Sequence, residues 1–188
     1  VAEANPIVYL WRSIDTEIEN RSLFGELSYD LTSKLTATVG ARWFQFDVDE
    51  QSSLMIACCS GNTPGPGPAA PTASSDKDVN YKLNLSYEVN DDLLFYAQAA
   101  QGFRSGGNNE PGISVVPGCQ NASSFSSDGL WNYEIGAKMA LLDNRAVVNL
   151  TPYYIDWSDM QVRAFNPLCN NARIANAGEA RIQGVEAE

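Results

Sequence analysis

Residues 79–89 read VNYKLNLSYEV. Val79, Tyr81, Leu83, Leu85, Tyr87 and Val89 alternate without a break with Asn80, Lys82, Asn84, Ser86 and Glu88. Successive side chains of a strand point to opposite faces, so this stretch is a ribbon with one apolar and one polar side. The polar side carries charge and meets water. The apolar side needs a different neighbour: either a second sheet of the same molecule or lipid.

The pattern recurs along the chain. Residues 21–31 set Leu23, Leu27, Tyr29 and Leu31 against Ser22, Glu26, Ser28 and Asp30. Residues 35–43 set Leu35, Ala37, Val39, Ala41 and Trp43 against Thr36, Thr38, Gly40 and Arg42. Residues 130–142 set Trp131, Tyr133, Ile135, Ala137, Met139 and Leu141 against Asn132, Glu134, Gly136 and Lys138. Weaker ribbons run over 93–103 and 145–155. One more precedes Asn20, and a last one starts near Arg173. The Gly184–Val185 step falls out of phase with Ala180 and Ile182, as a β-bulge does.

Connections decide between the two neighbours. Thr32-Ser33-Lys34, Asn90-Asp91-Asp92 and Asp143-Asn144 are short, polar and turn-forming. Between them come long polar loops near 50–78, 105–128 and 165–173, the first containing NTPGPGPAAPTASS. Short and long alternate strictly, as the periplasmic turns and extracellular loops of membrane barrels do. The phrase LSYDLTSK (27–34) and its echo LSYEVNDD (85–92) are then strands descending to periplasmic turns. Tyr29 and Tyr87 mark the inner aromatic girdle; Trp43, Phe103, Trp131 and Tyr154 mark the outer one. A soluble β-sandwich alternates too, but its apolar face would be dominated by large aliphatics packed on a second sheet. Here aromatics stand near strand ends. The fold expected is all-β, built of antiparallel transmembrane β-barrel strands.

Charge and cysteine usage narrow the function. With 12 basic and 23 acidic residues the net charge is −11, which argues against nucleic acid and against docking on an anionic bilayer surface. No apolar run approaches the roughly 18 residues of a transmembrane helix. The chain opens at Val1 with no visible signal peptide, as a mature protein or an excised piece does. No His is present, which removes a Ser-His-Asp triad and, with no CxxC pair, makes a zinc site unexpected. No enzyme chemistry, metal or cofactor is expected. Cys58, Cys59, Cys119 and Cys169 all lie in polar loops. They are disulfide candidates for an oxidising compartment, with Cys119 and Cys169 each paired to another loop cysteine.

Several side chains invite a chemical reading. Arg104 follows Phe103 at a strand top, before Ser105-Gly106-Gly107-Asn108-Asn109. It is either a charge-assisted donor to an anionic chelate or the partner of a lumen acid such as Glu134. Asp156, Trp157, Ser158 and Asp159 sit at the outer rim, where solvation fits better than a calcium loop of unfamiliar spacing. Asp47, Asp49, Glu50, Asp76 and Asp78 make the shoulders of the first long loop acidic, whether solvated or bridged by divalent ions to lipopolysaccharide. Arg42, Glu88, Glu134 and Lys138 read as lumen charges.

Four stretches in order resemble the barrel of TonB-dependent outer-membrane receptors: LFGELSYDLTSKLTATVGARW (23–43), FYAQAAQGFRSGGNNE (95–110), WNYEIGAKMALLDNRAVVNLTPYYIDWSDMQV (131–162) and IANAGEARIQGVEAE (174–188). The resemblance implies uptake of a scarce nutrient, a ferric siderophore first of all, across the Gram-negative outer membrane. It implies contact with outer-membrane lipid and lipopolysaccharide. It also implies coupling to TonB through a plug domain for which no segment is visible here. Such barrels have about 22 strands, against seven or eight in this chain. Residues 1–188 are therefore expected to be a partial barrel, a segment of a larger one. Arg104, Asn108, Asn109, Trp157 and Arg163 are the expected ligand-facing residues. A passive porin-like barrel and a secreted soluble β-sandwich binding module remain the alternatives.

Overall fold

The computed structural model describes residues 10–56, 70–109, 124–167 and 171–188. Seven strands form one antiparallel sheet: β1 (Leu10–Asp30), β2 (Leu35–Ile56), β3 (Ala70–Asn90), β4 (Leu93–Arg104), β7 (Asp128–Leu141), β8 (Ala146–Ser158) and β11 (Ala180–Ala187), in the order β1-β2-β3-β4-β7-β8-β11. Two small pairs stand at the loop end: β5 (Gly107–Asn108) with β6 (Ser124–Phe125), and β9 (Gln161–Asn166) with β10 (Asn171–Asn176). The sheet is a meander, each wall strand beside its sequence neighbour, as the alternation of short and long connections requires.

The apolar ribbon face is uncovered. Leu83, Leu85 and Tyr87 keep 48%, 41% and 45% of their surface, and Phe44 is the one buried apolar side chain among the described residues. Among the described residues the only other sheets are two two-stranded pairs at the loop end, and none covers this face, so the β-sandwich alternative fails. An uncovered row of Leu, Val and Tyr several strands wide suits hydrocarbon, where backbone groups must be paired within the sheet.

Four expectations about elements need correction. The stretch 50–78 is not all loop, because β2 continues to Ile56 and β3 starts at Ala70, paired as far as Ser52–Ala70. The segment before Asn20 is the upper half of β1. The last wall strand starts at Ala180; Arg173 belongs to the β9–β10 hairpin. No bulge occurs at Gly184–Val185, where register with β8 runs unbroken from Ala180–Trp157 to Ala187–Leu150. The irregularity lies between Glu88 and Asn90 instead, next to the β3–β4 turn. The Tyr153 ring lies over Gly184, where a Cβ would meet the Tyr153 hydroxyl at 2.6 Å.

That contact is one case of a repeated device on the polar face. Glu26, Gly40 and Lys82 occupy one row across β1, β2 and β3. The glycine leaves room for Glu26 to reach over it to Lys82 at 2.8 Å. Tyr96 pairs with Gly136, and Thr151 lies beyond it in the register set by Glu134–Tyr153 and Ala137–Leu150. The Tyr96 hydroxyl and Thr151 Oγ1 meet over the glycine at 2.8 Å. Each bridge ties strands two apart, which backbone pairing alone does not do. The β7–β8 ladder lapses at Ile135 and Gly136, opposite Pro152, which has no N–H to give. The tyrosine bridge spans that gap. Gly136→Ala puts a methyl group into the Tyr96 ring and breaks the bridge. It should cost about 1–3 kcal/mol. Combining it with Tyr96→Leu, which removes the obstructed ring end, should cost less than the sum of the singles; a strictly additive result in refolding titrations would count against the device.

Aromatic placement agrees with the girdle expectation except at Phe103. Trp131, Tyr133 and Tyr154 cluster on the lipid side, with centroids 5.9 and 6.4 Å apart. Phe103 stacks instead on Phe44, centroids 3.8 Å apart. Register between β3 and β4 ends at Lys82–Ala100, whereas β4 stays paired with β7 through Phe103–Gly129.

Candidate functional site

The polar side of the sheet at its loop end gathers the chemistry. Arg104, Asp128 and Trp157 end three adjacent strands on this face, in the rows Arg104–Asp128 and Leu130–Trp157. Asp128 is buried at 2% exposure. It accepts Arg104 Nε at 3.2 and 3.0 Å, Arg104 Nη2, the Arg104 amide at 3.2 Å and the Gln161 amide at 2.9 Å. The Arg104 guanidinium lies 4.6 Å from the Trp157 ring centroid, a cation–π geometry. Arg104 thus pairs with an acid of the neighbouring strand, as one of its two readings had it, but the acid is Asp128, directly opposite in register, and not Glu134, which accepts from Asn132 at 2.5 Å.

Asp128 and Arg104 stand beyond Trp131, outside the membrane-spanning part. Burial alone would push the Asp128 carboxyl up. Hydrogen bonds from the Arg104 side chain, then from the Gln161 amide, and the guanidinium charge outweigh it and hold the carboxyl below its ordinary value of 3.8. The same hydrogen bond raises Arg104 above its usual range. Both groups are ionised at neutral pH.

Around this pair the loops are sewn together. Gln161 Nε2 donates to Ser105 O at 2.9 Å and Ser126 O at 3.1 Å. Asn176 Nδ2 donates to Ser126 O and Asp159 O, and its Oδ1 accepts the Ser126 amide at 2.8 Å. The Ser127 amide reaches Asp76 on β3 at 3.1 Å. Gly106 sits where a Cβ would meet the Phe125 carbonyl at 2.5 Å. The chain turns there only because that residue has no side chain.

The five expected ligand-facing residues separate into groups. Arg104 and Trp157 are brought together at the mouth. Asn109, 4% exposed, exchanges two 2.8 Å hydrogen bonds with the backbone of Ile174. Asn108 donates to the carbonyls of Val48 and Thr72 at 3.3 Å each. These two asparagines brace loops. Arg163 is exposed on β9, in register with Ile174, away from the Arg104 cluster. Cys58, Cys59, Cys119 and Cys169 lie outside the described residues. Sequence reasoning missed Asp128, Gln161 and Asn176. Each is a lone polar residue in or beside a loop, and only the fold makes it a hub.

Arg104 retains surface for a ligand. Its side chain is 47% exposed although its partner carboxylate is fully covered. Nε and Nη2 are occupied, and no hydrogen bond to Nη1 occurs among the described residues. A guanidinium carries five N–H donors in a fixed fork, so Asp128 orients Arg104 while one edge faces the mouth.

The family model described as TonB dependent receptor-like, beta-barrel, matches residues 2–188. The pesticin receptor of Yersinia pestis is 27% identical over 96% of this chain and 24% of its own length. Among solved structures, the ferric yersiniabactin uptake receptor of Yersinia pestis aligns over 95% of this chain and 25% of its own, with TM-score 0.72 and 23% identity. The ferric-catecholate import receptor of E. coli K12 aligns over 93% and 25%, with TM-score 0.70 and 17% identity. The chain thus spans about a quarter of the length of the relatives it matches.

Proposed function

The chain belongs to the TonB-dependent receptor β-barrel family, and from that premise we propose that it supplies wall strands and outer loops to an active importer of a ferric siderophore. The family is one of outer-membrane receptors and transporters, not of enzymes. The chain breaks no bond in this reading. Residues 1–188 are a segment of a larger barrel, which a plug domain and TonB complete as the uptake machine. The outer membrane's lipid and lipopolysaccharide surround the sheet.

The observation that carries the reading is the pairing of an uncovered apolar face with a polar face that ends in Arg104 over Trp157. Lipid takes the first. The second offers a preoriented guanidinium edge and an aromatic ring, which suit an anionic, ring-bearing chelate.

The test uses the full-length protein in iron-limited cells and measures equilibrium binding and uptake of ferric siderophores. A lost charge-assisted hydrogen bond is worth about 1.5–3 kcal/mol, so Arg104→Ala should weaken binding roughly 10- to 150-fold. Asp128→Asn loosens the same loops but keeps the guanidinium, and should weaken binding far less. Equal losses in the two variants would reduce Arg104 to a brace.

A further inference from the structure

Above the Lys82–Ala100 rung the wall divides. β3 stays paired with β2 as far as Ser52–Ala70, and β4 stays paired with β7 as far as Arg104–Asp128, but no further rung joins β3 to β4. The next one would join Tyr81 to Gln101. There the Tyr81 amide donates to Gln101 Oε1 at 2.9 Å. A side chain takes the hydrogen bond that a neighbouring strand's carbonyl takes in a regular ladder. The two backbones have parted by about a side chain's reach.

Parity shows which way β4 goes. Lower down its odd residues face lipid: Ala97 and Ala99 stand in rows with Leu85 and Leu83. By the same alternation Phe103 belongs to the lipid side. Its ring nevertheless stacks on Phe44, with centroids 3.8 Å apart and 9° between the planes, and Phe46 stands edge-on to both at 5.9 and 6.0 Å. Phe44 and Phe46 share the lumen parity of Gly40 and Arg42. Phe103 also lines a concavity with the lumen-side residues Phe24, Arg42 and Asn80. A side chain on the lipid side of β4 reaches the lumen side of β2 only where β4 has crossed in front of β3. The chain that follows keeps to that inner layer. Gly106, Gly107 and Phe125 line a cleft with Phe46, Val48 and Asp76, and Asn108 reaches the Val48 and Thr72 carbonyls. Asp76 accepts the Ser127 amide from the same side.

We infer that Phe103 is a positioning residue for Arg104. Stacked on Phe44, it holds the tops of β4 and β7 inside the wall and so carries the guanidinium, with Asp128, into the mouth. Phe44, at 1% exposure, is the fixed side of the stack. Gly129, the partner of Phe103 on β7, puts no side chain beside the ring. The other partners of Arg104, Asp128 and Trp157, stand on β7 and β8, so they orient the guanidinium but do not tie it to the β1–β3 half of the wall. Phe103 does not touch the ligand; it acts through its neighbour in the chain.

This role rests on the proposal that Arg104 meets the chelate, and two readouts separate them. The full-length protein is made with fluorotryptophan, and the Trp157 resonance is assigned by its loss in Trp157→Phe. The Arg104 guanidinium lies 4.6 Å from that ring, so Arg104→Ala should move the line. Phe103→Ala should move it most of the way to the same place. Phe103→Tyr, which keeps the stacked ring, should leave it at the parent position. Binding of a ferric tris-catecholate should weaken roughly tenfold in Phe103→Ala, but less than about twofold when Arg104 is already alanine, because residues that act as a unit are not additive. A Trp157 line that stays at the parent position in Phe103→Ala, or equal binding losses from Phe103→Ala in both backgrounds, would overturn the positioning role and spare the siderophore reading. A line that moves as expected while neither Arg104→Ala nor Phe103→Ala alters binding would uphold the positioning role and sink the siderophore reading.

Discussion

Replacing Leu85 by arginine is expected to lower the unfolding free energy of the full-length barrel in lipid by about 2–4 kcal/mol, whereas arginine at Tyr87 should cost about 0–1 kcal/mol. Both residues lie on the same face of β3 and are almost equally bare, at 41% and 45%. Burial in protein therefore cannot separate them; only depth can. Tyr87 pairs with Leu35 and Phe95 beside the short turns, and Leu85 sits one row further in. An arginine at 87 reaches the interface with its stem along the sheet, while one at 85 must drag its charge through hydrocarbon. Asn84→Arg, on the polar face, is the control and should be mild. Equal costs at 85 and 87 in refolding titrations would mean the face meets something other than a bilayer.

Much of this was legible beforehand because period-two alternation is a local signal. The wall strands, their antiparallel order and the lipid face follow from 21–31, 35–43, 79–89 and 130–142. The reading failed where the polarity of the two faces stopped following the pattern of the lower strand. Above Trp43 β2 keeps its alternation with the sense reversed, and Asp47 and Asp49 on one face with Asp76 and Asp78 of β3 on the other look like a loop to an eye expecting lipid outside. Arg173 misled for a related reason: a rim hairpin obeys the same two-residue period as a wall strand, so nothing local distinguishes β10 from β11. At the mouth, Arg104 and Trp157 stood out as charge and ring. Asp128 did not, because its importance comes from a partner 24 residues away and from Gln161 beyond that.

Asp128→Ala should open the mouth. Truncating one partner of a buried ion pair costs about 3–5 kcal/mol when both charges are covered. Arg104 is half exposed and regains water, so the expected cost is lower, about 2–3 kcal/mol. The loss is local, because Asp128 orders the Arg104 and Gln161 amides and, through the Gln161 side chain, the Ser105 and Ser126 carbonyls. Hydrogen exchange at Gln161 should therefore accelerate roughly 30- to 150-fold, the same free energy read as an opening equilibrium, while exchange in the strands at Leu83 and Ile135 stays as it was. The pH dependence has a definite sign. The folded carboxyl titrates below its ordinary value of 3.8, so the pair's contribution is complete above that value. It is lost as pH falls through the depressed folded value. After correction for the intrinsic chemistry of exchange, Gln161 should be protected evenly from pH 7 to about pH 5 and lose protection only in stronger acid. Asp128→Asn, which has nothing to titrate, should lack that acid limb. If Gln161 is equally protected in Asp128→Ala and in the parent, the carboxylate is a bystander. The orientation of Arg104 must then come from Trp157 and the Gln161 carbonyl.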